Sequence, residues 1–290
     1  MRWAILALTI FVTLFTGESV LKQQSRAQLM REGVVIRNGD TATVKANDPR
    51  PLAQAIQAVS EEYGWVVDYE DPLYSDSELV DATNPKWRAS HPDAPMVKGI
   101  RGGAFESAFN EPSALASTAG EEAALQKIVS DYNHSGNPGK FIVHDEGEEA
   151  FNPEIPGFKK SVAHRYSIVG VSGILDTTVS IPIEKRSAQA TIELIAKELS
   201  TKTNVKVFGG ASANNLLIQS QVTVGGEHLT VRNLLIQTLN ATQRPQIWRC
   251  LFDPGANIYV FNIHTAARVE RDADGKKRLI WIDSPPVRRP

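Results

Sequence analysis

One order of predicted elements occurs twice along this chain, and this repetition limits the possible folds more than any other feature. In each half an amphipathic helix leads into an apolar strand, and after a loop a second helix leads into two further strands. Helix stripes and sheet faces of this kind are buried against each other. The order predicts an α+β fold of two tandem small βαβ-type modules with short mixed sheets. Two unrelated α+β domains would give the same order by chance, and this alternative stays open.

The four helices are predicted from apolar residues at helical spacing. The first begins at Asp48 and Pro49, an N-cap residue followed by a proline that suits the first turn, and ends at Gly64. The second opens with the capping-box pattern of Thr118 to Glu121. In chain order the stripes are Leu52, Ile56, Val59 and Tyr63; Ala124, Leu125, Ile128, Val129 and Tyr132; Ala188, Ile192, Ile195 and Leu199; and Val231, Leu235, Ile236 and Leu239.

Strands are predicted where β-branched and aromatic residues follow these helices. Pro254 and Gly255 form the turn of one hairpin, and Asp272 to Gly275 the turn of a C-terminal β-hairpin. A short strand is also expected at Leu216–Ile218. The main predicted strands are 65–69, 140–144, 166–171, 179–183, 205–208, 246–252 and 257–263.

Length and composition agree with two soluble domains. The chain has 290 residues, of which 42% are hydrophobic and 22% charged, as in ordinary globular proteins. Its formal charge of −2 gives no field that would favour nucleic acid. We divide the chain into a signal peptide (1–19), a linker with an edge strand (20–42), a first module (43–172) with a Pro/Gly-rich insertion (71–117), a second module (173–264), and a hairpin with a mobile tail (265–290).

The first residues have the three parts of a secretory signal peptide. Arg2 supplies a positive charge, an uncharged core of about 14 residues follows from Trp3, and small residues stand at Gly17 and Ser19. We expect cleavage between Ser19 and Val20. The alternative is an uncleaved anchor, although the core is shorter than the roughly 20 residues that a membrane-spanning helix needs.

A single cysteine, Cys250, stands in the chain, so no intramolecular disulfide forms. It lies in an apolar run with Trp248 and Phe252 on the same predicted strand face. We therefore expect Cys250 to be a buried core residue and not a nucleophile. Trp65 and Trp248 are also expected in the core.

Two segments resemble the secretin and TonB short N-terminal domain. Asp48 to Tyr69 has a Pro-Leu pair before a helix, an apolar stripe, a Tyr-Gly exit and a short strand, and Leu229 to Thr242 is similar to that family's second helix. The resemblance implies a small βαβ-type periplasmic module of bacterial envelope proteins, which forms a docking surface without catalysis. The remaining chain is too short for the barrel or pore that usually follows in that family, so transport and secretion are not inferred.

No catalytic, metal or cofactor residues are predicted. The six histidines lack zinc-ligand spacing, and no phosphate-loop or nucleophile-elbow motif is complete. Trp87, between Lys86 and Arg88 in the insertion, is the tryptophan most expected at the surface. Because aromatic residues and arginine are enriched where interfaces have hot spots, Trp87 and Arg88 are the candidate partner contacts.

These observations predict an exported, non-catalytic binding or assembly protein of the bacterial envelope with an envelope protein as its partner. Membrane contact is expected only through an uncleaved signal segment. Two alternatives remain: an envelope hydrolase, which would show a His or carboxylate oriented by a second polar group, and a small-ligand carrier, which would show an apolar cavity between the modules.

Overall fold

The structure, a computed structural model, describes residues 33–47, 49–151, 161–212, 214–242, 244–272 and 277–282. The predicted cleavage residues Ser19 and Val20 and the predicted tail after residue 282 lie outside the described residues. Contacts place the chain from Gly33 onward in one compact unit. The predicted α+β class is confirmed, because helices are combined with several short sheets whose strand pairs are mostly antiparallel.

The first half runs from residue 33 to residue 170. It also contains a short 3₁₀ turn at Asp76–Glu78. Its strands and helices are, in chain order, β1 (Val34–Asn38), β2 (Thr41–Ala46), α1 (Pro51–Tyr63), β3 (Val66–Glu70), β4 (Leu79–Asp81), α2 (Pro85–Ser90), β5 (Lys98–Ile100), β6 (Phe105–Asn110), α3 (Glu111–Ala116), α4 (Thr118–His134), β7 (Phe141–Phe151) and β8 (Ser161–Gly170).

The second half begins after β8 and is followed by a C-terminal hairpin. Its elements are β9 (Thr178–Ser187), α5 (Ala188–Thr203), β10 (Lys206–Ser212), α6 (Asn214–Gln219), β11 (Gln221–Thr230), α7 (Val231–Asn240), β12 (Gln246–Asp253) and β13 (Ile258–Thr265). The predicted C-terminal hairpin is present as β14 (Ala267–Arg271) and β15 (Lys277–Trp281).

A six-stranded mixed sheet contains strands of both halves, in the order β10-β13-β12-β3-β8-β7. In the first half β3 is parallel to β8, and β8 is antiparallel to β7. In the second half β10 is parallel to β13, and β13 is antiparallel to β12. The halves join where β12 pairs in parallel with β3, with Arg249 opposite Tyr69 and Cys250 opposite Glu70. The sequence did not predict this continuous sheet.

Smaller sheets show the same correspondence between the halves. In the first half β2, which precedes α1, pairs with β6, which precedes α3 and α4. In the second half β9, which precedes α5, pairs with β11, which precedes α7. Both pairs are antiparallel. In the first half β1 adds a third strand next to β2. The two halves therefore share one connectivity. That they are two copies of one module stays our interpretation.

The helices have the predicted faces, but two of them begin at different residues. Helix α1 begins at Pro51 with Arg50 in the N-cap position, because Pro51 also suits a first helical turn and the Arg50 side chain contacts Asp71. Its predicted end is confirmed by Gly64, whose φ of 76° is left-handed. Helix α4 is capped by the Ser117 hydroxyl, which accepts a hydrogen bond from the Gly120 amide, and not by Thr118.

One predicted strand and two predicted boundaries differ from the structure. The predicted strand at Leu216–Ile218 is part of helix α6, because there Leu217 is fully buried in the second-half core. The end of the predicted insertion belongs to the framework, because β6 pairs with β2 and buries Phe105 and Phe109. The edge strand predicted within the linker is present as β1, at the edge of the β1-β2-β6 sheet, but β2 already begins at Thr41, inside the predicted linker.

Each half has its own hydrophobic core. The first includes the predicted stripes of α1 and α4, and the second includes those of α5 and α7 except Ile236. Trp65 and Trp248 are buried as predicted. Cys250 is also buried, and burial raises the pKa of its thiol well above the usual value. A protonated, enclosed thiol fits the predicted role in the core.

Candidate functional site

The seam between the halves is lined by three buried carboxylates, Asp68, Glu70 and Asp71, at the end of β3. Strands β3 and β12 pair over only two residue positions. Side chains therefore continue the connection beyond the paired backbone. Charges in such a place need ion pairs and hydrogen bonds, because burial of an isolated carboxylate is very unfavourable.

Asp68 joins β3 to strands on both of its sides. Its Oδ2 lies 2.6 Å from Nη1 of Arg165 on β8, and both side chains are fully buried. Its Oδ1 accepts a hydrogen bond of 2.9 Å from the backbone amide of Trp248 on β12. Arg165 also donates to the carbonyl of Gln246, at 2.8 Å. One ion pair therefore connects β8, β3 and β12.

Glu70 connects β3 to helix α7 and to the loop before β9. Nη2 of Arg232 lies 2.8 Å from Oε2 of Glu70, and Nε of Arg232 lies 3.0 Å from Oδ1 of Asp176. The Leu175 amide donates to Oε1 of Glu70, at 2.8 Å. Burial raises the pKa of Glu70, and the Arg232 charge opposes that rise.

Asp71 accepts four hydrogen bonds. Its Oδ1 accepts hydrogen bonds from the hydroxyls of Tyr69 and Tyr74, at 2.9 and 2.8 Å. Its Oδ2 accepts from Nε of Arg50, at 2.7 Å, and from the Phe252 amide, at 2.9 Å. The seam carboxylates are thus engaged by both halves, which is a structural role.

A groove of about 370 Å³ lies beside the seam, between α1, β12, β13 and the C-terminal hairpin. Its walls are mainly apolar, with polar groups on the α1 side and along β12 and β13. The apolar lining residues include Trp65, Ile247, Ile263, Leu279 and Trp281, and the polar ones include Gln57, Ser60, Glu61, Arg249 and His264. An apolar cavity between the halves is the feature that the small-ligand carrier alternative predicts.

Arg249 provides the positive charge of this groove. Its Nη1 donates to Oε1 of Gln57, at 2.6 Å, and Nε2 of Gln57 donates to Oε1 of Glu61, at 2.7 Å. Desolvation lowers the pKa of Arg249, although the Glu61 charge acts in the opposite direction. The amide of Gln57 therefore links the Arg249 guanidinium to the Glu61 carboxylate.

His264 and Ser60 complete the polar side of the groove. Desolvation, and secondly the Arg249 charge, lower the pKa of His264. Within the described ranges His264 has no side-chain hydrogen bond. Of the oriented His or carboxylate that the hydrolase alternative requires, the groove therefore offers only the Glu61 carboxylate, which Gln57 contacts. Ser60 is buried, and its hydroxyl has no hydrogen-bond partner among the described residues.

The predicted contact residues lie on a second surface, the strap, which we define as residues 72–104. Trp87 is 44% exposed and stacks on His91, with ring centroids 4.7 Å apart. Arg88 instead points into the strap, where it donates to the carbonyl of Ala94 and to the side chains of Asp81 and Thr83. The structure thus places Trp87 at the surface and Arg88 in the network that supports it.

In the described part of the chain, no group of three or more His, Cys, Asp or Glu residues could hold a metal ion. None of the described helices is long and apolar enough to cross a membrane.

Comparisons of the chain with protein-family models, with curated proteins and with solved structures found no significant match.

Two groups of site residues were missed by sequence reasoning. The acidic residues Asp68, Glu70 and Asp71 end an apolar strand, and Arg249 interrupts the apolar run of β12. A charge within an otherwise buried strand is the signal that could have identified both groups, since charged residues are rarely buried without a partner.

Proposed function

We propose that this protein is an exported, non-catalytic binding protein of the bacterial envelope that docks a protein partner through the strap. The observation that carries the proposal is the exposed Trp87, held on a strap that has its own ordered structure. Exposed aromatic residues on fixed surfaces are typical centres of protein interfaces. Further exposed apolar residues of the strap are Leu73, Val80, Met96 and Val97.

Hydrogen bonds within the strap support this proposal. The Asn84 side chain caps α2, and the Ala82 amide donates to the carbonyl of Val97, at 2.8 Å. The Val97 amide donates to the Thr83 hydroxyl, at 3.0 Å. Such contacts order the strap before any partner binds, which reduces the entropy lost on association.

The strap is also anchored to the body of the protein. Oε1 of Glu78 accepts a hydrogen bond from the Gly139 amide, at 2.6 Å, and the Tyr74 hydroxyl donates to Asp71 in the seam. Partial burial acts to raise the pKa of Glu78, but the hydrogen bonds from Gly139 and Ser75 keep it below its usual value. A partner on the strap would therefore be held at a defined position relative to both halves.

Site-specific photocrosslinking in the native host tests the docking surface. A photoreactive phenylalanine analogue replaces Trp87 in one variant and Ile183, which is 69% exposed on β9, in a control variant. We expect a discrete protein adduct at position 87 and none at position 183. If the adduct contains a second copy of this chain, the strap mediates self-association and not docking of an envelope partner. Absence of any adduct at position 87, or equal adducts at both positions, would contradict docking through the strap.

Export is tested by the N-terminus of the protein isolated from the native host. We expect the sequence to begin Val20-Leu21-Lys22 and the protein to fractionate with the cell envelope or periplasm, because the signal pattern predicts cleavage after Ser19. Cytoplasmic protein that retains Met1 to Ser19 would refute export, whereas membrane-bound protein that retains this segment would indicate the uncleaved anchor.

A further inference from the structure

Arg249 differs from the other arginines that lie at the seam. Arg50, Arg165 and Arg232 each form an ion pair with a buried carboxylate, at 2.7, 2.6 and 2.8 Å. Among the described residues no carboxylate lies within ion-pair distance of Arg249, and Gln57 is its hydrogen-bond partner. A half-buried guanidinium with donors to spare is a binding group for an anion.

Ser60 adds a second polar group on the same wall. It follows Gln57 by three residues on α1, so the two side chains lie on one face of the helix, and both line the groove. Its hydroxyl is enclosed and has no partner among the described residues. Because buried polar groups are normally hydrogen-bonded, this hydroxyl is suited to donate to a bound oxygen.

The other walls limit the ligand to an apolar body with a single negative charge. Trp65, Ile247 and Ile263 form the inner apolar walls, and the partly exposed Leu279 and Trp281 form the outer one. One guanidinium balances one negative charge, and the nearby Glu61 disfavours a dianion such as phosphate. The volume of about 370 Å³ lies within the range of small-molecule sites.

We propose that the groove binds a monocarboxylate with an apolar body, whose carboxylate contacts Arg249 and the Ser60 hydroxyl. This chemistry has two sources: a free apolar acid, and the C-terminal carboxylate of a peptide that ends in an apolar residue. The site is separate from the strap and is independent of docking there.

Binding is measured by calorimetry with purified protein that begins at Val20. The probes are decanoate and indole-3-acetate with their uncharged amides, and tetrapeptides ending in leucine with free or amidated C-termini. We expect a carboxylate to bind about tenfold or more tightly than its amide, because hydrogen bonds to charged groups contribute that much. Preference for the alkyl or aromatic acids identifies a free ligand, and preference for the free-ended peptides identifies a chain end.

Variants connect binding to the groove. We expect Arg249→Met to weaken carboxylate binding about tenfold or more and to leave amide binding unchanged. The exposed control, Arg101→Met on the strap, keeps full affinity. Arg249→Met is expected to fold, since it leaves no carboxylate without an ion pair. Ser60→Ala gives a second test, with several-fold weaker binding and an unchanged unfolding midpoint.

The proposal is overturned by three results. These are no binding of any carboxylate probe at millimolar concentration, equal affinities for an acid and its amide, and wild-type affinity in Arg249→Met. In each case photocrosslinking at position 87 would be unaffected, so failure of the ligand site is distinguishable from failure of the docking function.

Discussion

Replacement of Arg165 with methionine is expected to lower the free energy of unfolding by about 3–5 kcal/mol. The substitution removes the guanidinium that lies 2.6 Å from the fully buried Asp68 carboxylate, and it removes the Arg165 donor to the Gln246 carbonyl. Methionine fills much of the arginine volume, so the loss measures the uncompensated charge and not a cavity. Urea unfolding followed by circular dichroism and tryptophan fluorescence measures the change.

Two further variants make this expectation specific. Lys45→Met removes an exposed ion pair with Glu106 and is expected to cost about 1 kcal/mol or less. Asp68→Asn combined with Arg165→Met removes the buried charge while keeping an acceptor for the Trp248 amide. We expect this double variant to recover stability relative to Arg165→Met alone. If Arg165→Met lowers the free energy of unfolding no more than Lys45→Met does, the Asp68 carboxylate does not depend on the Arg165 charge.

Asp71→Asn is expected to destabilise the protein by about 3 kcal/mol or more. The carboxylate accepts four hydrogen bonds, from Arg50, Tyr69, Tyr74 and the Phe252 amide. One asparagine oxygen cannot accept from all four donors, and the asparagine amide group brings two further donors to the same place. The substitution changes charge and hydrogen bonding with almost no change in volume. Denaturant unfolding measures the loss of stability, and hydrogen exchange of the β12 segment reports the loss of the contact to Phe252.

Asp76→Asn is the matched control, since it makes the same substitution on the strap. The Asp76 side chain is 88% exposed and pairs with Lys98, at 2.8 Å. The Lys98 contact lowers the pKa of Asp76. We expect no measurable change in the unfolding midpoint, because substitutions at exposed surface positions usually have little effect on stability. If both variants lose the same stability, the buried position of Asp71 does not explain its effect.

Local patterns in the sequence were sufficient for most elements. The stripes of α1, α4, α5 and α7 are buried as predicted, except for the half-buried Tyr63, and Gly64 ends α1 in the left-handed conformation. These features are readable because helical periodicity and turn chemistry depend on residues only a few positions apart. The same local reasoning failed at Leu216–Ile218, where a short apolar run fits a strand and a helix equally well.

The connections between the halves could not be read in this way. Glu70 meets Arg232 across 162 positions, Asp71 meets Phe252 across 181, and Arg249 meets Gln57 across 192. No periodicity links residues so far apart, and a charged side chain on a strand has the same local signature whether or not it finds a partner. The sequence by itself therefore determined the four long helices, several turns and the α+β class of this protein. Only the tertiary structure decided which charges are paired at the seam and that Arg249 faces the groove, because burial and pairing depend on contacts that exist only after the two halves share one sheet.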